Sequence, residues 1–423
     1  MMSLEKLQNS TRLLLLLIIG FAFALRVGMN VRFQDLSSPP DPRMGSDHVE
    51  YNLIAKNIVQ GKGYTLYVPE GPTAFRPPGT PLIIAGFYAL FGIHHEAVRI
   101  GFSLLGALTC LPLFLIVRRF TNARWGLFAA ALLAIYPEHF YYSMHMFSET
   151  PWTLLISLAV WLGIKLVDTG QLRWALLQGV LLGIAALTRP IALLYPVIQG
   201  AFVALAILGG EKRLRAVLQA WPRILVPFLI TLVTIAPWPI RNQHLLGQTV
   251  LFSTHGGVTL YGAYNETVLS NPIHKGRWVP PLLTPGNEAI KAEANEVDAD
   301  RKAAELAREF IVEHRQALPR LIAWRLIRLV QPDPGTPNRA FNLALLFSYG
   351  PLIPFMLLGA YLARRHTCSI MLYSAVVMIL ANTILLYGDH RFRASIAPIL
   401  IAFAVLGVHG LVKRRSKYKH AST

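Results

Sequence analysis

Ten apolar runs constrain this 423-residue chain more than any other feature. They fall near 11–31, 97–117, 125–143, 149–167, 173–190, 191–209, 224–240, 341–362, 369–387 and 394–412. Each is about 17–24 residues long, the length a helix needs to cross a bilayer. The chain is 54% hydrophobic and 15% charged, with a mean hydropathy of +0.45. Such composition excludes an ordinary soluble domain and implies an all-α polytopic membrane protein of about ten spans. The pair at 173–209 is one apolar stretch divided by Arg189-Pro190. Proline ends a helix and arginine is costly at depth. No small-residue cleavage site follows the first run, so it reads as a retained helix and not a removed signal peptide.

The formal charge of +18 is spread over short loops. With the N-terminus inside, the basic loops are Arg118/Arg119/Arg124, Lys165/Arg173, Lys212/Arg213/Arg215/Arg223, Arg364/Arg365 and the tail Lys413/Arg414/Arg415/Lys417/Lys419. All fall on one side, the positive-inside pattern. That distribution argues against a nucleic-acid partner. Residues 79–92, GTPLIIAGFYALFG, are apolar but too short to span, and as an eleventh span they would invert every later loop. They read as an interfacial or re-entrant helix. Cys110 lies in a span and Cys368 in a basic loop, which suggests neither a disulfide nor a zinc or redox motif.

Three regions follow: a membrane core over 1–240 that includes a first outer loop at 32–96, an external segment over 241–340, and C-terminal membrane helices with a basic tail over 341–423. The external segment opens on PWPIRN and a glycine- and aromatic-rich stretch, 250–265. A helix of alternating charge follows, which reads as solvated. Residues 317–330, with Leu318, Leu321, Ile322, Trp324 and Arg325, read as an interfacial helix.

The polar residues that need a reason gather on the other side from the basic loops. In the first outer loop, Asp47, Tyr51, Ile54 and Ile58 repeat at helical spacing, with Glu50 beside them. Ser46 can cap this helix, and Gly61 and Gly63 stop it. Arg76 stands before Pro77-Pro78-Gly79. The same side holds Glu138, His139, His145 and Glu149 in PEHFYYSMHMFSET, then Arg189, then Arg391 and Arg393 in GDHRFR. Plain structural roles compete for each. Asp47 and Glu149 are good first-turn acids, the arginines can anchor helices at an interface, and His139 and His145 fit structural or gating positions.

Nucleotide-loop, HExxH and CxxC motifs are missing from the sequence. An acid with arginines at the outer boundary suits an amphiphilic substrate with its phosphate at headgroup level. Sugar transfer from such a lipid needs a carboxylate to take the acceptor proton and cations to hold the departing phosphate.

SDHVEYNLIAKNIVQGKGY followed by FRPPGTPLIIAGFYALFG resembles the first outer loop of bacterial C-type membrane glycosyltransferases, the superfamily of protein O-mannosyltransferases and aminoarabinose transferases. YYSMHMFSETPW, LTRP, PWPIRNQHLLGQTVLFSTHGGVTLYGAYN and GDHRFRASIAPIL resemble further family segments in the family order. The resemblance implies a bundle of membrane helices with interfacial helices in the first outer loop. It implies transfer from a polyprenyl-phosphate-linked sugar at the periplasmic or external face of the inner membrane, with inversion. Asp47 matches the catalytic acid, and Arg76, Arg391 and Arg393 match basic positions near the donor phosphate. Glu50, Glu149 and Arg189 join them as substrate-binding candidates. His48 stands where the family often has a second acid, which leaves Glu50 and Glu149 as alternatives for sharing Asp47's role. No large soluble domain is expected after the last span. No cofactor is firmly implied; a divalent metal is compatible and nothing indicates one. The implied partners are the lipid-linked donor, a lipid, glycan or protein acceptor, and membrane lipids. A transporter or flippase of lipid-linked sugars is the alternative, although that class places its charges mid-span.

Overall fold

The structure, a computed structural model, describes residues 9–42, 46–67, 71–208, 213–336 and 338–421, the side chains of 206–220 and 415–421 excepted. Every regular element among these residues is a helix. Seven helices are long and apolar enough to cross a membrane: Asn9–Phe33, His95–Phe120, Glu149–Thr169, Trp221–Leu246, Arg339–Ala363, Thr367–Leu385 and Ala397–Arg414. Four shorter apolar helices, Gly79–Phe91, Ala123–Ala134, Leu172–Thr188 and Pro190–Leu205, stand with them. Together they make a multi-pass membrane protein, and each apolar run of the sequence is helical.

The runs differ from expectation in their breaks. The expected span 125–143 is two helices, Ala123–Ala134 and Pro137–Ser143. Pro137 lacks an N–H to continue the ladder, and Tyr136 before it is extended, with φ −72° and ψ 114°. The break expected at Arg189-Pro190 is present. Arg189 is extended, and a 3-10 turn over Pro190–Leu193 leads into Leu194–Leu208.

One continuous core joins the bundle through Leu113, Phe114, Trp152, Leu182, Met371 and Phe403, all buried. Small residues set the closest approach. A Cβ on Gly359 would lie 1.7 Å from the Phe403 carbonyl oxygen, and one on Gly407 2.2 Å from that of Phe355. The helices Ile353–Ala363 and Ala397–Ala421 therefore meet backbone to backbone.

The two ends of the bundle carry different chemistry. At one end Arg119 holds Asp168 through two bonds, at 2.6 and 2.8 Å. Phe120 packs on His366, and Lys165 lies over Trp161 and Trp174. The basic loops around 119, 165–173 and 366 thus share one end. Lys212 lies outside the described residues, as do the side chains of Arg213, Arg215, Arg415, Lys417 and Lys419. Asp47, Glu50, Arg76, Glu149, Arg189 and Arg391 share the opposite end.

The segment between the membrane helices adds a small core of Tyr261, Val268, Ala303, Ala307, Phe310 and Leu321. Helix Glu296–Glu313 is less solvated than its charge pattern predicts. It buries Ala303, Ala307 and Phe310, and Glu296 accepts from Thr73 Oγ1 at 2.5 Å and the Ala74 N–H at 2.7 Å. This ties the first loop to the segment above it. Arg325, expected on an interfacial helix, is fully buried. It donates to the Tyr264 hydroxyl and to the carbonyls of Ala263 and Ile384, at 2.8–2.9 Å. Three acceptors hold its two terminal nitrogens inside the fold, while its Nε is buried without a partner.

Candidate functional site

The first-loop helix, Asp47–Val59, is placed by its apolar face. Tyr51 and Ala55 pack with Ile84, Ala85 and Tyr88 of Gly79–Phe91, the short apolar helix that lies against it. Gly61 and Gly63 end the helix with φ of 75° and 77°. Asn57 then donates to the Thr65 carbonyl at 3.0 Å and closes the turn. Ser46 does not cap the helix as its position suggests. Its hydroxyl instead accepts from Arg76 at 3.3 Å. Tyr64 donates to the Arg76 carbonyl at 2.8 Å, and Arg241 of PWPIRN donates to the carbonyls of Thr73 and Tyr64. The backbone that presents Arg76 is therefore held from both sides.

Asp389 caps the short helix His390–Ser395 by accepting from the Arg391 N–H at 2.9 Å. That helix aims Arg391 at the first loop. Its Nη2 lies 3.1 Å from Asp47 Oδ2, and its Nε 2.7 Å from Glu149 Oε1. Arg76 Nη2 lies 2.9 Å from Asp47 Oδ1, while Arg76 Nε donates to Glu50. Arg189 Nη1 lies 2.7 Å from Glu149 Oε1. Glu50, Arg76, Asp47, Arg391, Glu149 and Arg189 thus form one connected chain of charges drawn from four separate parts of the sequence. Arg189 pairs with Glu149, not with Glu138.

Asp47, Arg76, Arg189 and Arg391 line a cavity of about 370 Å³. Glu149 is buried behind the arginines, and Glu50 faces a neighbouring groove. Arg393 is the site candidate that joins neither the cavity nor this chain of charges. It pairs with the buried Glu138 at 3.3 Å, donates to the carbonyls of Leu329 and Gln331, and lies over the Tyr349 ring.

Sequence reasoning passed over His255, whose ring lines the cavity beside Asp47 and Arg76. It stands edge-on to Phe75 at 4.9 Å, and its Nδ1 is buried with no partner. Asn382 Nδ2 is likewise buried and unpartnered at the cavity wall. The only hint of His255 was its place in the glycine-rich STHGG.

Electrostatics follow from this packing. Burial pushes the Asp47 carboxyl up, but Arg76 and Arg391, with a smaller contribution from His255, outweigh it and hold the group well below the usual carboxylate range. Burial, then Arg76, brings His255 down to about 3, so its ring is neutral near neutral pH. Burial pushes the Tyr51 hydroxyl up to about 12. Each carboxylate in the cluster already has at least one guanidinium on it. Among the described residues no group of three His, Cys, Asp or Glu side chains is arranged to hold a metal. The exchangeable partners here are guanidinium groups, which fit an incoming phosphate better than a cation.

Comparison with known proteins bears on this arrangement. A model of the dolichyl-phosphate-mannose-protein mannosyltransferase family matches residues 75–240, less than half of the chain. No curated protein matches the sequence. Among solved structures, the archaeal oligosaccharyltransferase AglB from Archaeoglobus fulgidus, in complex with an inhibitory peptide and a dolichol-phosphate, superposes with a TM-score of 0.56 at 16% identity, covering 98% of this chain and 51% of that one. The apo form of the Archaeoglobus fulgidus oligosaccharyltransferase gives 0.54 at 14% identity, covering 100% and 52%. This chain therefore spans about half the length of those proteins and shares the fold of the part it matches. ArnT from Cupriavidus metallidurans bound to undecaprenyl phosphate gives 0.43 at 15% identity, covering 95% and 78%, too low a score to establish a shared fold.

Proposed function

We propose that this chain, a member of the C-type membrane glycosyltransferase superfamily by its fold, moves a sugar from a polyprenyl-phosphate donor to an acceptor hydroxyl. The observation that carries this is the Asp47 carboxylate at a cavity wall, held by Arg76 and Arg391 at 2.9 and 3.1 Å. The resemblance read in the sequence supplies the substrate class. The face that carries the first loop is taken as periplasmic or external, opposite the basic loops.

Each part of the reaction has a side chain suited to it. The donor phosphate takes up the guanidinium groups of Arg76, Arg189 and Arg391. The acceptor hydroxyl gives its proton to an Asp47 carboxylate oxygen as its own oxygen attacks the anomeric carbon. The bond from that carbon to the phosphate oxygen breaks, and its electron pair leaves with the lipid phosphate, where the arginines stabilise the charge. Direct displacement inverts the anomeric centre. Asp47 then returns its proton to solvent.

The arginines link binding to basicity. In the empty cavity they suppress Asp47 as a base. A phosphate that draws Arg76 and Arg391 toward itself weakens that hold, so the carboxylate gains basicity when the donor is in place. Glu149 and Glu50 keep the arginines oriented during the exchange.

The test is transfer from a labelled polyprenyl-phosphate sugar in membranes with and without this protein. Protein-dependent appearance of label in non-donor material is expected. Label that crosses the bilayer still on its donor, with no transfer, would support a flippase instead. Orientation is tested by a cysteine placed at Asn295, which should react with an impermeant reagent in intact cells. Reaction only after permeabilisation would reverse the assigned face.

A further inference from the structure

A second cavity, of about 600 Å³, lies on the other side of the first-loop helix's N-terminus. Its walls are largely apolar. Met29 and Phe33 come from the end of the first membrane-length helix, Phe341 and Ala344 from the start of another, and Phe140 and Met144 from the segment between spans. Beside it Phe33, Leu343 and Phe347 are exposed, so its mouth is continuous with the apolar outer surface of the bundle. Its opposite edge is polar, with Asp35, Asp41, His48, Arg99 and His145.

The two cavities are adjacent along the chain. Asp47 lines the arginine cavity and His48 the apolar one; Ser148 lines the first and Met146 the second. One buried ring, Phe147, stands between them. The Arg391 guanidinium carbon lies 5.1 Å from its centroid, while His48 and His145 meet it at 4.6 and 5.7 Å.

The geometry points to the apolar cavity as the seat of the acceptor's hydrocarbon chain. The acceptor is then an amphiphilic lipid whose hydroxylated head reaches Asp47 past Phe147. This rests on the transfer reaction proposed above and specifies its second substrate. The donor chain has its own way out. The arginine cavity carries an apolar edge at Ile191, Leu386 and Phe392, next to the exposed Leu385. A chain entering the second cavity comes from the bilayer, because its mouth lies between the ends of two membrane-length helices. Its polar edge has two histidines and two acids, and its one arginine, Arg99, already donates from Nη1 to three main-chain carbonyls, so the edge suits a hydrogen-bonding head better than a second phosphate.

The experiment uses the full chain in lipid nanodiscs and two photoprobes. One is an alkyl glycoside with a diazirine in its chain; the other is a polyprenyl phosphate with a diazirine at the far end. Mass spectrometry should place the glycoside label around Met144 and Phe341. Ala344→Trp fills the cavity and should abolish that label, leave the polyprenyl-phosphate label in place, and stop transfer to lipid acceptors. Met144→Trp fills it from the opposite wall and should do the same, and polyprenyl-phosphate labelling shows that either variant is folded. Glycoside label that survives both substitutions would overturn the proposal, as would polyprenyl-phosphate label inside this cavity. Labelling is read without turnover, so a failure of the transfer reaction itself shows as normal labelling with no product from the unmodified chain.

Discussion

Arg391 and Arg393 stand two residues apart on one short helix, yet they serve two different charge clusters. Arg391 keeps 29% of its side-chain exposure and joins Asp47 and Glu149 at the cavity wall. Arg393 keeps 3% and is sealed against Glu138, which His390 also approaches at 3.3 Å. In the open cluster each arginine has carboxylate partners that an incoming anion can replace. In the sealed cluster the partners are a buried acid and two main-chain carbonyls, and neither Arg393 nor Glu138 lines either of the two large cavities. The same residue types therefore divide between chemistry and architecture, and access to a cavity decides which.

That contrast can be broken by substitution. The largest effect is expected on rate. Removing the Asp47 carboxylate should slow transfer by about 10²–10⁴-fold at steady state, and Glu50→Gln, one step back from the cavity, should cost less. Next comes stability. Glu138→Gln leaves Arg393 buried without its counter-charge, which should destabilise the fold by about 3–5 kcal/mol, read as a lower unfolding midpoint in detergent. Donor affinity per folded molecule should not change. Arg391→Ala and Arg76→Ala should do the reverse and weaken polyprenyl-phosphate binding by about 1.5–3 kcal/mol each. Their unfolding midpoints should move less than that of Glu138→Gln, because Asp47 keeps one arginine and Glu149 keeps Arg189. Equal stability losses in all three variants would erase the distinction.

The smallest effect sharpens the electrostatics. Arg76 and Arg391 depress Asp47, so the carboxylate is ionised at neutral pH and loses its charge only below the usual carboxylate range. Removing Arg391 removes one depressing charge and raises that value. The acid limb of the pH–rate profile for Arg391→Gln should therefore move to higher pH. His255, neutral near pH 7, contributes no limb there.

Much of this site was legible because its residues stand at the ends of apolar runs, all on the side away from the basic loops. Asp47, Arg76, Glu149, Arg189 and Arg391 could be listed together before any contact was known, and the arrest of the first-loop helix at Gly61 and Gly63 followed from local backbone rules. What was not legible depends on tertiary packing. Helical spacing cannot say which of Arg391 and Arg393 faces a cavity when the helix is six residues long. Ser46 has the right type for a cap, but Arg76, thirty positions away, claims its hydroxyl. His255 lies in a loop with no periodicity and becomes visible only when the first loop folds over it. Arg325 looked like an interface residue because the carbonyls that satisfy it come from two distant segments.

The most direct measurement is single-turnover transfer from a labelled polyprenyl-phosphate sugar by Asp47→Asn, with donor binding followed in the same sample. Asparagine keeps the shape of the side chain but cannot accept the acceptor's proton. The expected result is a folded protein that still binds donor and transfers sugar about 10²–10⁴-fold more slowly. Donor binding with near-normal transfer would contradict it and move the base to Glu50 or Glu149.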